Sequence, residues 1–253
     1  MATASTPPAR AGAGHDTQPA AAPQSAAAPS PFTPIAEYAF LSDCHTGALV
    51  APDGAIDWLC VPRFDSASVF GALLDRGAGS FRLGPFGINV PAARAYEPGT
   101  NTLVTTWHTA GGWIVVRDAL AMGPRRTEDT VTPHTRPPAD DDADHLLVRT
   151  VTCIEGSVEV ELVCEPVFDY GRVPADWSLE GDDRHTADAR GGDDTVIRLR
   201  TDMALGIEGN RVRARHVLRD GEALYCALSW AEGLASPADC ADAGSRLAAT
   251  TRF

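Results

Sequence analysis

The sequence contains no lysine: all 21 of its basic residues are arginine. Schiff-base chemistry through a lysine amine is therefore excluded, and the uniform arginine reads as the mark of a GC-rich coding sequence. No CxxC pair is present either. The six cysteines, Cys44, Cys60, Cys153, Cys164, Cys226 and Cys240, are scattered, which fits buried free thiols better than a zinc site. Histidines His45, His108, His134, His145, His185 and His216 show no HExxH spacing, and no GxSxG pentapeptide occurs. Neither a metal site, nor a cofactor, nor a serine nucleophile is expected. Basic charge is also short, with 34 acidic groups giving a net charge of -13. That balance repels nucleic acid and anionic membrane. No apolar run reaches the length of a membrane span, and the first 31 residues lack the apolar stretch of a secretory signal, so cytoplasmic location is the default expectation.

What is there suffices for a substantial core: 44% hydrophobic residues in a chain of 253. Residues 1–31 are mostly Ala, Pro, Ser, Thr and Gly and are expected to be a disordered tail. A stretch from about Pro124 to Asp144, with its run of aspartates, reads as a solvated loop without the spacing of a calcium site. Between and beyond these, period-two alternation recurs and predicts antiparallel strands. Val158, Val160, Leu162 and Cys164 share one face while Glu159 and Glu161 take a solvated one, and Glu155-Gly156-Ser157 is expected to turn this strand back on Leu146–Thr152. Leu103–His108 and Trp113–Leu120 form a second expected hairpin, and Arg211–Leu218 with Ala223–Trp230 a third across Asp220-Gly221. Two helices are expected, one over Ala67–Leu74 capped by Ser66, the other opening at Ser236-Pro237 and running to about Ala249. The fold class is all-β, an antiparallel β-sandwich of the supersandwich kind with one or two short helices. It occupies residues 32–236 and is followed by a linker helix over 237–253.

Ser42-Asp43-Cys44, the turn Pro52-Asp53-Gly54, Ile56-Asp57-Trp58-Leu59-Cys60, Pro62-Arg63-Phe64-Asp65-Ser66, Tyr96-Glu97-Pro98-Gly99-Thr100-Asn101 and Phe168-Asp169-Tyr170-Gly171 follow one another in a specific order. In this order they resemble the N-terminal, trehalase-like domain of glycoside hydrolase family 15, over about Pro34 to Phe253. The resemblance implies a non-catalytic domain, because family 15 hydrolysis proceeds with inversion and both catalytic glutamates belong to an (α/α)6 barrel. No run of a dozen amphipathic helices for such a barrel is present here, so no catalytic residue is expected in this chain and Phe253 is expected to be a break point. The implied partner is that barrel, in cis or in trans, with an α-glucoside substrate reached only through it and self-association as a further expectation.

The residues singled out for a substrate-pocket or interdomain rim are Trp58, Arg63, Phe64 and Asp65. Trp58 supplies bulk, and Phe64 is expected to dock the helix that follows it. Arg63 and Asp65 either tie down a turn or project toward a polar partner surface. A free-standing carbohydrate-binding module is the alternative, with Trp107, Trp113, Trp177 and Trp230 as the available stacking aromatics.

Overall fold

A computed structural model of the chain describes residues 32–122, 143–192, 195–230 and 236–252. The expected tail at 1–31 and the expected loop up to residue 142 lie outside the described residues. Ala143 and Asp144, assigned to that loop, instead open a strand.

Alternation of apolar and polar residues builds two antiparallel sheets. The first runs β1 (Ala39–Ser42), β2 (Gly47–Val50), β3 (Ala55–Cys60), β5 (Gly79–Pro85), the second half of β9 (Ala143–Val167), β15 (Arg211–Arg219) and β14 (Gly206–Glu208), with β4 (Ser68–Phe70) also on β3. The second runs β6 (Ala93–Tyr96), β7 (Leu103–Thr109), β8 (Gly112–Met122), the first half of β9, β16 (Ala223–Ser229), β13 (Val196–Thr201), β12 (Thr186–Arg190) and β11 (Asp176–Glu180), and the short β10 (Val173–Pro174) pairs with the end of β9. The inner faces share one core. Leu41, Ile56, Phe70 and Phe81 come from the first sheet, and Trp107, Ile114, Val116 and Val151 from the second. The fold is the expected all-β sandwich.

The two sheets are joined by the continuity of β9. Glu155-Gly156-Ser157, expected to be a hairpin turn, is instead a bend within a single 25-residue strand. Gly156 has φ 79°, and a side chain there would run into the Gly111 carbonyl of the neighbouring β7–β8 turn. The same bend corrects a second expectation. Arg211–Leu218 and Ala223–Trp230 do follow each other across Asp220-Gly221, but they do not pair. β15 pairs with Ser157–Cys164 and β16 with Leu146–Thr152, so the connection turns the same corner as β9. The β7–β8 hairpin and the Pro52-Asp53-Gly54 turn stand where they were expected.

The helix expected over Ala67–Leu74 is absent. Ser68–Phe70 is paired to β3, and Leu73 N–H donates to Asp57 O at 3.0 Å. Val69 and Phe70 are buried as strand residues, and Leu74 is 71% exposed. The other helix is present, at Cys240–Arg252. Its cap is Asp239 rather than Ser236: Asp242 N–H donates to Asp239 Oδ1 at 2.9 Å, and Ala238 N–H to Asp242 Oδ2 at 3.0 Å. Ala243 and Leu247 pack on Ala119, Ala121, Leu146, Val148, Tyr225 and Ala227, so the helix covers the outer face of the second sheet. Met122 N–H donates to Thr250 Oγ1 at 2.9 Å and fastens its far end.

Between the sheets lies a buried charge. Arg149 on β9 is fully buried and faces its register partner Asp118 on β8. Its Nε donates to Asp118 Oδ1 at 2.8 Å, Nη1 to Phe81 O at 2.9 Å and Nη2 to Gly54 O at 2.7 Å. Burial opposes the charge, but the attraction of Asp118 and its hydrogen bonds outweigh that, holding the guanidinium above its ordinary pKa. The flanking thiols Cys164 and Cys226 are pushed up by burial, Cys226 to about 12, which makes them inert core residues. Removing one partner of such a pair leaves an uncompensated buried charge. We therefore expect Arg149→Met to lower unfolding free energy in urea by about 3–5 kcal/mol. Asp118→Leu in the same chain should restore part of the loss; equal additive losses would contradict the coupling.

Candidate functional site

The Ser42-Asp43-Cys44 and Pro62-Arg63-Phe64-Asp65-Ser66 motifs meet at one end of β1–β3, and the Pro52-Asp53-Gly54 turn lies at the other. Asp43 is buried, and its Oδ1 accepts the N–H groups of His45 at 2.9 Å and Thr46 at 2.7 Å. Thr46 Oγ1 donates to the Cys60 carbonyl. The Ser42-Asp43-Cys44 turn is thereby clamped to the end of β3, where the chain departs into the loop at 61–67. Asp57, also buried, receives Tyr38 Oη at 2.7 Å and Arg76 Nη1 at 3.1 Å. Burial raises the pKa of its carboxyl, and burial together with the bond to Asp57 pushes the Tyr38 phenol to about 12. These acids serve the scaffold.

The loop at 61–67 braces itself. Arg63 N–H donates to Ser66 Oγ at 3.2 Å, Ser66 N–H returns to Arg63 O at 3.1 Å, and Phe64 N–H reaches His45 O at 2.9 Å. Ser66 closes a loop rather than capping a helix, and Phe64, with no helix to dock, is 54% exposed. Its ring and that of Phe40 lie over Gly47, where a β-carbon would meet Phe40 at 2.5 Å and Phe64 at 3.2 Å. Arg63 and Asp65 do pair, at 3.5 Å, but with side chains 62% and 84% exposed. Such a pair contributes at most about 1 kcal/mol. Trp58 does not join this loop: it is half-buried within β3 opposite Leu49.

Sequence reasoning missed the second half of the site. In Phe168-Asp169-Tyr170-Gly171, Phe168 is buried while the next three residues have φ 50°, 56° and 84°. Consecutive left-handed residues other than glycine cost roughly 1–2 kcal/mol each. The strained turn holds Tyr170 outward, 52% exposed, with its hydroxyl 3.5 Å from Ser66 O on the first loop. Asp169 pairs with Arg172 at 3.3 Å, again exposed. Two exposed rings, Phe64 and Tyr170, thus stand between two exposed arginine–aspartate pairs. Phe40 and Tyr96 extend the aromatic strip, Tyr96 Oη bridging the Phe40 N–H at 2.7 Å and carbonyl at 2.9 Å. The Phe168–Gly171 motif was the signal available, but its conformation could not be read from it.

The named tryptophans do not form a stacking platform. Trp107, Trp177 and Trp230 are buried, and Trp113 stacks on His108 at 4.3 Å. Glu161, expected on a wet face, does point outward but is only 8% exposed under covering arginines. Because the backbone at Tyr170 is strained, Tyr170→Gly should raise the stability of the chain by about 1 kcal/mol in urea unfolding. A loss of stability would show that Tyr170 holds its own turn.

The sequence that builds this geometry matches known proteins. A family model described as trehalase-like, N-terminal, matches residues 28–200. A trehalase of Mycolicibacterium smegmatis is 52% identical over 208 residues, which cover 80% of this chain and 31% of that protein. One from Mycobacterium tuberculosis is 49% identical over 206 residues, 79% of this chain and 30% of the relative, and one from Thermoplasma volcanium 35% identical over 143 residues, 56% and 21%. The chain therefore spans about a third of the length of the first two relatives. With the motifs of β1–β3 and the turn at Phe168–Gly171 inside the matched region, the chain belongs to the trehalase-like N-terminal family.

Proposed function

We propose that this β-sandwich is the non-catalytic N-terminal portion of a family 15 α-glucoside hydrolase of trehalase or glucoamylase-like type, inverting in the complete enzyme. Its role is to pack on an (α/α)6 catalytic domain, supplied in cis or in trans. The observation that carries this reading is the pair of loops at 61–67 and 168–172, which hold aromatic rings in water, the second at a cost in backbone strain. A self-contained domain gains nothing from that arrangement; a docking face does. Phe64 and Tyr170 then form the apolar centre and Arg63, Asp65, Asp169 and Arg172 the polar rim, the usual anatomy of an interface.

Inverting hydrolysis needs two carboxyl groups about 6.5–9.5 Å apart with room for water between them. Of the acids clustered between Glu155 and Asp169, Glu161 is engaged by arginines, Glu165 by Asn210 Nδ2 at 2.8 Å and Asp169 by Arg172, while Glu155 and Glu159 are exposed to solvent. This supports placing catalysis in the partner domain, with the α-glucoside reached only there.

The expected outcome is that the purified chain releases no glucose from trehalose or maltose but binds a separately produced family 15 barrel. Phe64→Ala and Tyr170→Ala should each weaken binding about tenfold or more, as truncation of central aromatic residues does. Light scattering and calorimetry read the association. Glucose release above a blank would overturn the non-catalytic assignment. A monodisperse monomer indifferent to both barrel and hydrophobic dye would favour the free-standing module.

A further inference from the structure

The helix Cys240–Arg252 does not seal the outer face of the second sheet. Register places Arg117, Thr150 and Tyr225 in one outward row across β8, β9 and β16, and Val115, Thr152 and Ala223 in the next. The helix packs on Tyr225 and stands off from the rest of both rows. A β-carbon added at Gly244 would meet nothing within 4 Å. Between helix and sheet lies an open cavity of about 470 Å³, a volume within the range of small-molecule sites. Among the described residues, none from the loops at 61–67 and 168–172 lines it, so its occupancy is independent of their docking role.

The two walls of the cavity differ in chemistry. On the sheet side, Glu97 comes from the turn after β6 and accepts Arg117 Nε at 3.0 Å, the two side chains remaining 30% and 42% exposed. Each charge offsets the other. Glu97 Oε2, the Nη groups of Arg117 and the hydroxyls of Thr150 and Thr152 have no hydrogen-bond partner among the described residues. On the helix side, Gly244, Leu247 and Ala248 present only carbon. Thr251 spends its hydroxyl on Leu247 O at 3.0 Å, and Arg252 stands exposed at the helix end. Neighbouring strands lie about 4.8 Å apart and residues two apart along a strand about 7 Å. The uncommitted polar groups therefore cover a patch roughly 5 Å by 7 Å, the footprint of one sugar ring.

We propose that this cavity holds a neutral hexose in its pyranose form. A carboxylate oxygen that accepts, a guanidinium fork that donates and two threonine hydroxyls that do both suit a ligand whose every polar group does both. Glu97 Oε2 takes the proton of one ring hydroxyl while Arg117 donates to its neighbour, and both bonds are charge-assisted. The carbon-bound face of the ring rests on Leu247 and Ala248. A simple anion would lose to Glu97 what it gains from Arg117, and an apolar ligand would strip water from these groups without replacing it.

The test is calorimetric titration of the full chain with glucose, with trehalose and the open-chain polyol sorbitol in parallel. Saturable binding of one glucose per chain is expected, with a Kd on the order of 1 mM for so open a site. Trehalose should bind no more tightly than glucose, because one ring fills the polar patch, and sorbitol about tenfold more weakly, because it must be ordered on binding. Gly244→Leu puts a side chain into the cavity and removes a glycine from the helix interior, so it should abolish binding while keeping or raising the unfolding midpoint. Glu97→Gln should weaken glucose about tenfold. Thr106→Val, on the same face but outside the cavity, should leave it unchanged. Heats that rise without saturation, trehalose binding tenfold more tightly than glucose, sorbitol binding as tightly as glucose, or a folded Gly244→Leu or Glu97→Gln chain that binds like the parent would each overturn the proposal.

Discussion

The structure depends on one buried ion pair and on the strand that carries half of it. Arg149 donates across the core to Asp118, Phe81 and Gly54, and so ties β8, β5 and the turn before β3 to the strand that both sheets share. A buried guanidinium without these partners would cost several kcal/mol. The position of the two sheets relative to each other is therefore fixed by hydrogen-bond direction as well as by apolar packing. Apolar side chains tolerate rearrangement; a guanidinium with three protein partners does not. The bend at Gly156 places β15 against one half of β9 and β16 against the other, which closes the sandwich without a separate linking element.

Upon this rigid frame, the two outer faces diverge. The second sheet is covered by the helix Cys240–Arg252 through small apolar contacts. The first is uncovered by any helix among the described residues and carries arginine and glutamate. At its edge, the buried Asp43 clamps backbone and the buried Asp57 holds the Tyr38 and Arg76 side chains, while the loops at 61–67 and 168–172 present aromatic rings. Strain at Asp169 and Tyr170 is tolerated because Phe168 before them and the strand pairing after them are secured by the core.

Much of this was legible in the sequence where the determinant is local. The β7–β8 hairpin follows from alternation around a short glycine turn, the Pro52-Asp53-Gly54 turn from its own chemistry, and the final helix from its composition. The errors share a cause. Glu155-Gly156-Ser157 carries the residues of a turn, but those residues also suit a bend, and only the distant β15 and β16 decide between them. Val69 with Leu73 and Phe70 with Leu74 have helical spacing, but β3 offers Ser68–Phe70 a sheet edge. In the site, Arg63, Phe64 and Asp65 were identifiable because the motif is dense with charge beside an aromatic residue. Tyr170 and Phe40 were not, because their exposure results from a left-handed turn and from the packing of two rings over Gly47. Glu161 looked solvated by alternation alone; its burial is the work of arginines on two other strands.

The central claim is that the loops at 61–67 and 168–172 are the face on which a catalytic domain rests. Hydrogen exchange of the backbone amides, measured on the chain with and without a family 15 barrel, addresses it residue by residue. The account predicts slowed exchange at Phe64, Ser66, Tyr170 and Phe40 when the barrel is present, with the amides of β12 and β13 unchanged. Protection confined to β11–β13, or none at all at saturating barrel, would contradict it.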